Sequence, residues 1–183
     1  MNFLEIVNNR QSVRKYSSQE IEKEKLDRCL EAARLAPSAS NSQPWTMIVV
    51  DEPELKDKVA RQTFDKLFSF NKFVPEAPVL VVFVIEKPKL ITQIGGKIKN
   101  KEYPLIDIGI VSEHFCLQAT EEGLGTCMLG WFNEKPIKEF LDIPEKKTIG
   151  LIVSVGYAPD DYKLRKKTRK KFKDVVKYNS YKN

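Results

Sequence analysis

Two arginines flank a serine near the start of the sequence, in the order Arg10-Gln11-Ser12-Val13-Arg14. Guanidinium groups bind phosphate oxygens through paired hydrogen bonds, and a serine hydroxyl adds a small donor close to the backbone. This spacing therefore suits a phosphate group. The same residue types are also typical of a solvated basic turn, so the motif by itself leaves both interpretations open.

A polar loop follows the first long predicted helix. Pro37 ends that helix, because proline has no N–H and its ring clashes with the preceding turn. Five polar side chains then occupy six positions: Ser38, Ser40, Asn41, Ser42 and Gln43. Such a loop offers many hydrogen-bonding groups to a flat ligand rich in heteroatoms. Serine, asparagine and proline also dominate ordinary connections, so this motif too has two interpretations.

Catalytic side chains with a recognised spacing are missing from the sequence. His114 is the single histidine, and Cys116 lies two positions further along a predicted helix, where the two side chains point to different sides. Histidine and cysteine spacing predicts no metal site. Gly123-x-Gly125 lacks the third glycine of a dinucleotide fingerprint, and there is no GK[ST] phosphate loop. An organic cofactor that carries the chemistry fits this pattern.

Length and composition indicate one globular domain over residues 1–183, with 42% hydrophobic and 31% charged residues. No apolar run approaches the roughly 20 residues of a membrane-spanning helix. The three cysteines have no paired close spacing, and the first residues lack the pattern of a signal peptide. We therefore expect a cytoplasmic protein without a membrane partner.

The net charge of +6 is unevenly distributed. Eight of the eleven residues 163–173 are Lys or Arg and none is acidic, which leaves +6 − 8 = −2 for the rest of the chain. The sequence therefore predicts a slightly acidic domain with a basic C-terminal segment, residues 158–183. A nucleic acid could bind this basic segment, but no recognised nucleic-acid module accompanies it, so we do not expect a nucleic-acid partner.

Apolar patterns predict strands over residues 47–50, 79–85, 125–131 and 149–157, the second of them buried on both faces. One helix is predicted to start at a Ser17–Glu20 capping box and another at Pro53. Two further helices are predicted over residues 105–122 and 136–141. The helix over 105–122 has apolar residues on several faces, which suggests a partner subunit. Residues 87–104 are expected to form a partly ordered excursion, such as a lid, and the phenylalanines of residues 64–73 to pack in a core or an interface. The alternation of strands and helices by itself favours a parallel sheet.

Three segments together resemble the FMN-dependent nitroreductase family. They are the Arg10-x-Ser12-x-Arg14 motif, the segment Pro37-Ser38-x-x-Asn41-x-Gln43-Pro44-Trp45, and Gly123-Leu124-Gly125-Thr126 before Gly130. The resemblance covers essentially the whole chain. It implies an α+β fold with a mostly antiparallel mixed sheet flanked by helices, in a homodimer that binds two FMN molecules at its interface. This implied sheet disagrees with the parallel one, and we expect the family's arrangement.

The resemblance also implies site residues. Arg10, Ser12 and Arg14 would hold the FMN phosphate and neighbouring groups, with Gln11 beside them where many members have a basic residue. Arg169 corresponds to a late basic residue that reaches the phosphate, and the other lysines of the run are expected to be solvated. Two further groups would contact the flavin: Pro37, Ser38, Ala39 and Asn41 from the other subunit, and Met128, Leu129 and Gly130 along the isoalloxazine ring.

The implied reaction has two steps. NADH or NADPH delivers hydride to flavin N5 and leaves, and a nitroaromatic, quinone or similar small acceptor then takes its place. No side chain would act as a catalytic acid or nucleophile. Open alternatives are a relative with other reductive chemistry such as dehalogenation, a flavin-binding protein without turnover, and a nucleic-acid-binding protein.

Overall fold

The computed structural model describes residues 1–65 and 69–182, in which helices cover both faces of a four-stranded sheet. The strands are β1 (Trp45–Val50), β2 (Val79–Ile85), β3 (Gly125–Leu129) and β4 (Thr148–Gly156). The helices are α1 (Phe3–Asn9), α2 (Lys23–Arg34), α3 (Pro53–Ala60), α4 (Leu90–Lys99), α5 (Tyr103–Glu121), α6 (Glu134–Phe140) and α7 (Phe172–Val175). The predicted α+β class is confirmed. None of the helices described is both long and apolar enough to cross a membrane.

The sheet has the order β1-β2-β4-β3, and all its strand pairs are antiparallel. An isolated parallel bridge joins Ser12 to Thr126 beside β3. The parallel sheet favoured by the alternation of elements is therefore wrong, and the implied antiparallel arrangement is confirmed. The misleading signal is the alternation of strands and helices, which also arises when helices cover an antiparallel sheet. The uninterrupted apolar run of β2 reflects burial of both its faces and does not determine strand direction.

Two apolar clusters enclose the sheet. Leu80, Val82 and Val84 of β2 point to the cluster that includes α3 and α6. Val81 and Phe83 point to the other cluster, against α2 and α5. Alternate residues of a strand face opposite sides, so this one segment supplies both cores.

Helix α5 is the longest helix described, and its apolar residues exceed what one chain buries. Its buried positions form one stripe of helical spacing: Asp107, Ile108, Val111, Ser112, Phe115, Cys116 and Ala119. Leu105 and Ile106 are each 52% exposed, and Ile110 and Leu117 are half-buried. Gly123, with φ 77°, follows the helix as predicted, and the N–H of Leu124 donates to the Ala119 carbonyl at 2.7 Å.

Two predictions about local structure are wrong. The predicted capping box at Ser17 is absent, because α2 begins at Lys23 and the Ser17 hydroxyl instead accepts from the N–H of Gln19 at 3.4 Å. A capping box does form at the first helix, where Asn2 and Glu5 bond to each other's backbone N–H groups.

The predicted excursion over residues 87–104 is mostly helix α4 followed by the start of α5. Its apolar residues lie at positions 90, 91, 94 and 98, a helical spacing that the many lysines of this region concealed. Of the phenylalanines in residues 64–73, Phe73 is buried as expected and Phe70 is 56% exposed. Phe68 lies outside the described residues.

Candidate functional site

A basic cleft of about 300 Å³ lies between the start of the chain and the segment after β4. It is lined by Arg10, Gln11, Ser12, Arg14, Arg165, Lys166, Lys167, Thr168 and Arg169. Five of the residues predicted from the sequence thus meet in one cleft, although Arg169 lies far from the others along the chain. Arg165 and Lys167 were not predicted, because nothing in a run of lysines and arginines distinguishes the members that turn inward.

The N-terminal side of the cleft is fixed to strand β3. The N–H of Val13 donates to the Thr126 carbonyl at 2.8 Å, next to the parallel bridge of Ser12. Gly125 allows this approach, since a Cβ there would lie 2.7 Å from a methyl group of Val13. The glycine that fails the dinucleotide fingerprint therefore serves to bring residues 10–14 against the sheet.

The C-terminal side is a strap, residues 162–169, that runs across residues 7–14. The Tyr162 hydroxyl accepts from the N–H of Arg14 at 3.0 Å, and the Gln11 amide oxygen accepts from the N–H of Arg165 at 3.0 Å. The Arg165 guanidinium donates to the Ser12 carbonyl. These bonds hold the two sides of the cleft together.

Lys167 joins the strap to the end of helix α1. Its Nζ donates to the carbonyl of Val7 at 2.9 Å and to that of Asn8. A helix leaves its last carbonyls without partners, and a cation is favourable there. Partial burial lowers the pKa of the Lys167 ammonium, and the positive charges of Arg10 and Arg169 lower it further. Lys167 is thus not the freely solvated lysine that the sequence suggested.

Arg10 contacts helix α5 through one nitrogen of its guanidinium group, and at least one other N–H donor has no partner among the described residues. Its Nη2 lies 3.1 Å from Oε1 of Glu113. Its Nε is buried and has no hydrogen-bond partner among the described residues. A buried guanidinium nitrogen without an acceptor is unfavourable. Arg169 lines the same cleft and donates to its neighbour's carbonyl at Thr168 over 3.1 Å.

The polar loop of residues 37–43 folds into a tight 3-10 turn at Ala39–Asn41. Ser40, Asn41 and Gln43 have φ values of 53°, 49° and 47°, a left-handed conformation that is strained for residues other than glycine. The Ser38 hydroxyl accepts from the N–H of Gln43 at 2.8 Å, which closes the loop.

Helices α4 and α5 hold this loop from outside. The N–H of Ala39 donates to Oδ1 of Asp107 at 3.1 Å, and the hydroxyls of Ser42 and Thr92 lie 2.9 Å apart. Burial raises the pKa of the Asp107 carboxyl, whose Oδ2 has no partner among the described residues. Neither Asp107 nor Thr92 stands out in the sequence, because their role depends on helices that approach the loop in three dimensions.

The third predicted group lies at the end of β3. Met128 is half-buried, Leu129 is buried, and Gly130 is exposed with open space where a side chain would point. Across the described residues, no hydrogen bond or ion pair joins the loop of residues 37–43 to the basic cleft. The two regions share only α5, on which Asp107 and Glu113 are six positions, or about 9 Å, apart along the axis.

Burial disfavours the thiolate form of the cysteines near the cleft. Burial raises the pKa of the Cys116 thiol to about 12 and also raises the pKa of Cys127. His114 makes a 2.9 Å hydrogen bond between its Nδ1 and the Ile110 carbonyl. The site thus consists of a basic cleft beside a polar loop, on an α+β fold.

These features define an α+β protein with a basic cleft, and comparison identifies its family. Residues 7–157 match the sequence profile of the Nitroreductase family. The chain belongs to this family, so the resemblance seen in the sequence is confirmed.

Individual relatives agree with this assignment. A protein of Archaeoglobus fulgidus with the provisional name NADH dehydrogenase/NAD(P)H nitroreductase is 33% identical over 166 residues, 86% of each chain. An FMN-dependent nitroreductase from Clostridium difficile R20291 has a similar structure, with a TM-score of 0.77, 29% identity, and coverage of 97% of this chain and 99% of that one. The iodotyrosine deiodinase of Thermotoga neapolitana is 25% identical over 197 residues, 97% of each chain.

Proposed function

We propose that this chain is an FMN-dependent oxidoreductase that passes electrons from NADH or NADPH to a small organic acceptor. Family membership supports the oxidoreductase class, and the relatives named above include an NAD(P)H nitroreductase and an FMN-dependent enzyme. The single observation that carries the proposal is the basic cleft, in which residues from two distant parts of the chain converge.

The residues of the cleft fit a phosphate monoester. Six cationic side chains line it, and the buried Nε of Arg10 lacks the acceptor that a phosphate oxygen would supply. We propose that Arg10, Gln11, Ser12, Arg14 and Arg169 hold the FMN phosphate. Arg165 and Lys167 would support phosphate binding, since they line the same cleft and their hydrogen bonds fix the shape of the cleft.

Two other groups would contact the flavin ring system. Pro37, Ser38, Ala39 and Asn41 belong to a loop already held in a strained, fixed conformation, which suits a rigid ligand. Met128, Leu129 and Gly130 lie at a strand end where Gly130 leaves open space. We propose that the loop comes from the partner subunit, because no hydrogen bond or ion pair joins it to the cleft in the part of one chain that the structure describes.

When bound, FMN supplies the redox chemistry by accepting a hydride from the nicotinamide and passing electrons to the acceptor. The residues named above would bind the cofactor and orient it. The cations of the cleft neutralise a phosphate, the loop presents fixed hydrogen-bonding groups, and Gly130 at the end of β3 leaves open space for a flat ring. We propose ping-pong turnover, in which nicotinamide and acceptor use the same space in turn.

We also propose a homodimer. Large apolar side chains remain exposed on one chain's helices α1, α4 and α5: Phe3, Leu4, Leu90, Ile91, Ile94, Ile98, Leu105 and Ile106. Exposed apolar residues in this number on three helices are typical of proteins that form an interface. Sedimentation should show a dimer at micromolar concentration, and Ile106→Glu should shift it toward monomers. A folded, FMN-bound monomer of the parent chain would contradict the dimer.

An absorption spectrum of the purified protein tests the proposed function. Bound oxidised flavin should give visible bands, and anaerobic NADH or NADPH should bleach them, with colour returning on addition of a quinone or nitroaromatic. Flavin that binds but is not bleached by either nicotinamide would indicate a binding protein instead. A parent chain that binds no flavin at all would refute the proposal.

Reductive dehalogenation is the second candidate, because a relative covering 97% of this chain is named an iodotyrosine deiodinase. Iodotyrosine should then reoxidise the reduced protein and release iodide, which an iodide electrode would detect. The cytoplasmic location remains a prediction.

A further inference from the structure

Glu113 is the carboxylate that contacts the basic cleft. Its Oε1 lies 3.1 Å from Nη2 of Arg10, and the two side chains are 34% and 31% exposed. Among the ion pairs of the described residues, this one alone involves a cation of the cleft. Glu113 projects from the middle of α5, a rigid helix with a buried stripe, so its position is fixed by the core.

The contact with Glu113 occupies one nitrogen of the Arg10 guanidinium and leaves the other donors for a ligand. A guanidinium has five N–H donors in one plane, and Glu113 engages Nη2. The Nε remains buried and without a partner in the described part of the chain. Holding one edge of the plane removes rotational freedom from the side chain, so the remaining donors keep a set direction before a ligand arrives.

Glu113 also offsets repulsion among the cations. Arg10 and Arg169 lower the pKa of the Lys167 ammonium, and Glu113 acts in the opposite direction on the same group. Six cations in a cleft of about 300 Å³ would otherwise attract any polyanion, because long-range attraction depends on total charge.

We propose that Glu113 is a positioning residue that makes the cleft selective for a single phosphate monoester over extended polyanions. This inference rests on the proposed function, since FMN is the monoester concerned. Glu113 orients Arg10 for short-range contact with one phosphate, and its charge lowers the long-range attraction for chains of phosphates or sulfates. The two effects have opposite consequences when the residue is replaced, which makes them separable.

Glu113→Ala and Glu113→Gln separate orientation from charge. Both remove the negative charge, but the glutamine retains a carbonyl oxygen that can accept from Arg10. Glu122→Gln is the matched control, because Glu122 is at the end of the same helix and pairs with Arg28, away from the cleft. FMN and riboflavin dissociation constants and the salt concentration for elution from heparin are measured for each protein.

Glu113→Ala should raise the FMN dissociation constant by about tenfold and Glu113→Gln by about threefold, as expected for loss or weakening of a charged hydrogen-bonded support. Riboflavin, which has no phosphate, should bind each variant as it binds the parent. Both variants should elute from heparin at the same, higher salt concentration, while Glu122→Gln elutes like the parent.

Unchanged or tighter FMN binding in Glu113→Ala would overturn the positioning role, and equal loss of riboflavin would indicate general damage instead. Unchanged elution from heparin would overturn the charge role. A parent chain that binds no FMN would overturn the proposed function and this inference together, whereas a parent that binds FMN with Glu113→Ala unaffected overturns the inference alone.

Discussion

The N–H of Arg14 donates to the hydroxyl of Tyr162 at 3.0 Å, across 148 residues of sequence. Arg14 belongs to the first predicted motif, and Tyr162 begins the strap that leaves β4. The bond joins a backbone position on one side of the cleft to a side chain on the other. The width of the cleft therefore depends on a residue that contributes no charge to it.

Tyr162→Phe removes the acceptor of this bond and keeps the ring. A hydrogen bond of this kind contributes about 0.5–1.5 kcal/mol, so the free energy of unfolding should fall by about that amount in urea titrations. FMN affinity should fall about threefold as the strap loosens. Tyr181→Phe is the control, because Tyr181 is 94% exposed. An equal effect of both changes would mean that the Arg14 contact has no special role.

Lys167→Met should weaken both the fold and the cleft. The change removes the donor that caps the Val7 and Asn8 carbonyls but keeps the apolar stem. Because the site is partly exposed, we expect a loss of about 1 kcal/mol in unfolding free energy and weaker FMN binding.

Lys170→Met provides the comparison, since Lys170 is exposed and lies outside the cleft lining. It should change FMN affinity only slightly, in a manner that salt removes. If the two variants bind FMN equally well, the strap is held by residues other than Lys167.

Arg169→Ala should raise the FMN dissociation constant without lowering stability, because Arg169 bonds only to its neighbour Thr168 among the described residues.

Asp107 should make stability depend on pH. Burial raises the pKa of this carboxyl above its ordinary value of 3.8, although the N–H of Ala39 opposes the shift. The native state then binds the proton more tightly than the unfolded chain, so the contribution of Asp107 to stability falls as pH rises from 3.8 through the raised native pKa.

Asp107→Asn tests this sign, because the amide oxygen can still accept from Ala39 but no longer titrates. As pH rises, the parent should lose unfolding free energy relative to the variant. The difference between the two should become constant above the native pKa of Asp107. Urea titrations at several pH values measure it. A difference that does not vary with pH would show that Asp107 titrates alike in the native and unfolded states.

Asp142→Gly should stabilise the protein. Asp142, with φ 51°, follows Leu141, the C-cap of helix α6, and the N–H of Ile143 donates to the Lys138 carbonyl at 2.9 Å. This arrangement is the Schellman motif, whose left-handed position favours glycine. Thermal unfolding should show a gain of about 0.5–1 kcal/mol, and Asp142→Val should destabilise the protein instead. A destabilised glycine variant would mean that the Asp142 side chain makes a favourable contribution of its own.

The sequence predicted those elements whose cause is local. Residues 79–85 form β2 with the predicted bounds, because seven consecutive apolar residues suit a strand covered on both faces. The same apolar run could not reveal the direction of neighbouring strands. Direction depends on how the connections cross the sheet, which residue patterns do not record.

The site was predictable where residue types are distinctive. Arg10, Ser12 and Arg14 stand out from their surroundings, whereas Lys167 is one of many lysines and Glu113 lies in an apolar helix. Lys167 is 160 residues from its partner Val7, and Glu113 is about 100 residues from its partner Arg10. Only the folded chain brings such pairs together, so no local pattern marks them.

The strap also has a consequence for the timing of biosynthesis. The two sides of the cleft are 148 residues apart, so at about 5–20 residues per second the ribosome finishes the second side roughly 7–30 seconds after the first. During that interval the arginines of the nascent chain have no Tyr162 or Arg165 against them. Loading of an anionic ligand should therefore follow emergence of residues 162–169, and a ribosome stalled before them should carry a chain that does not yet retain the ligand.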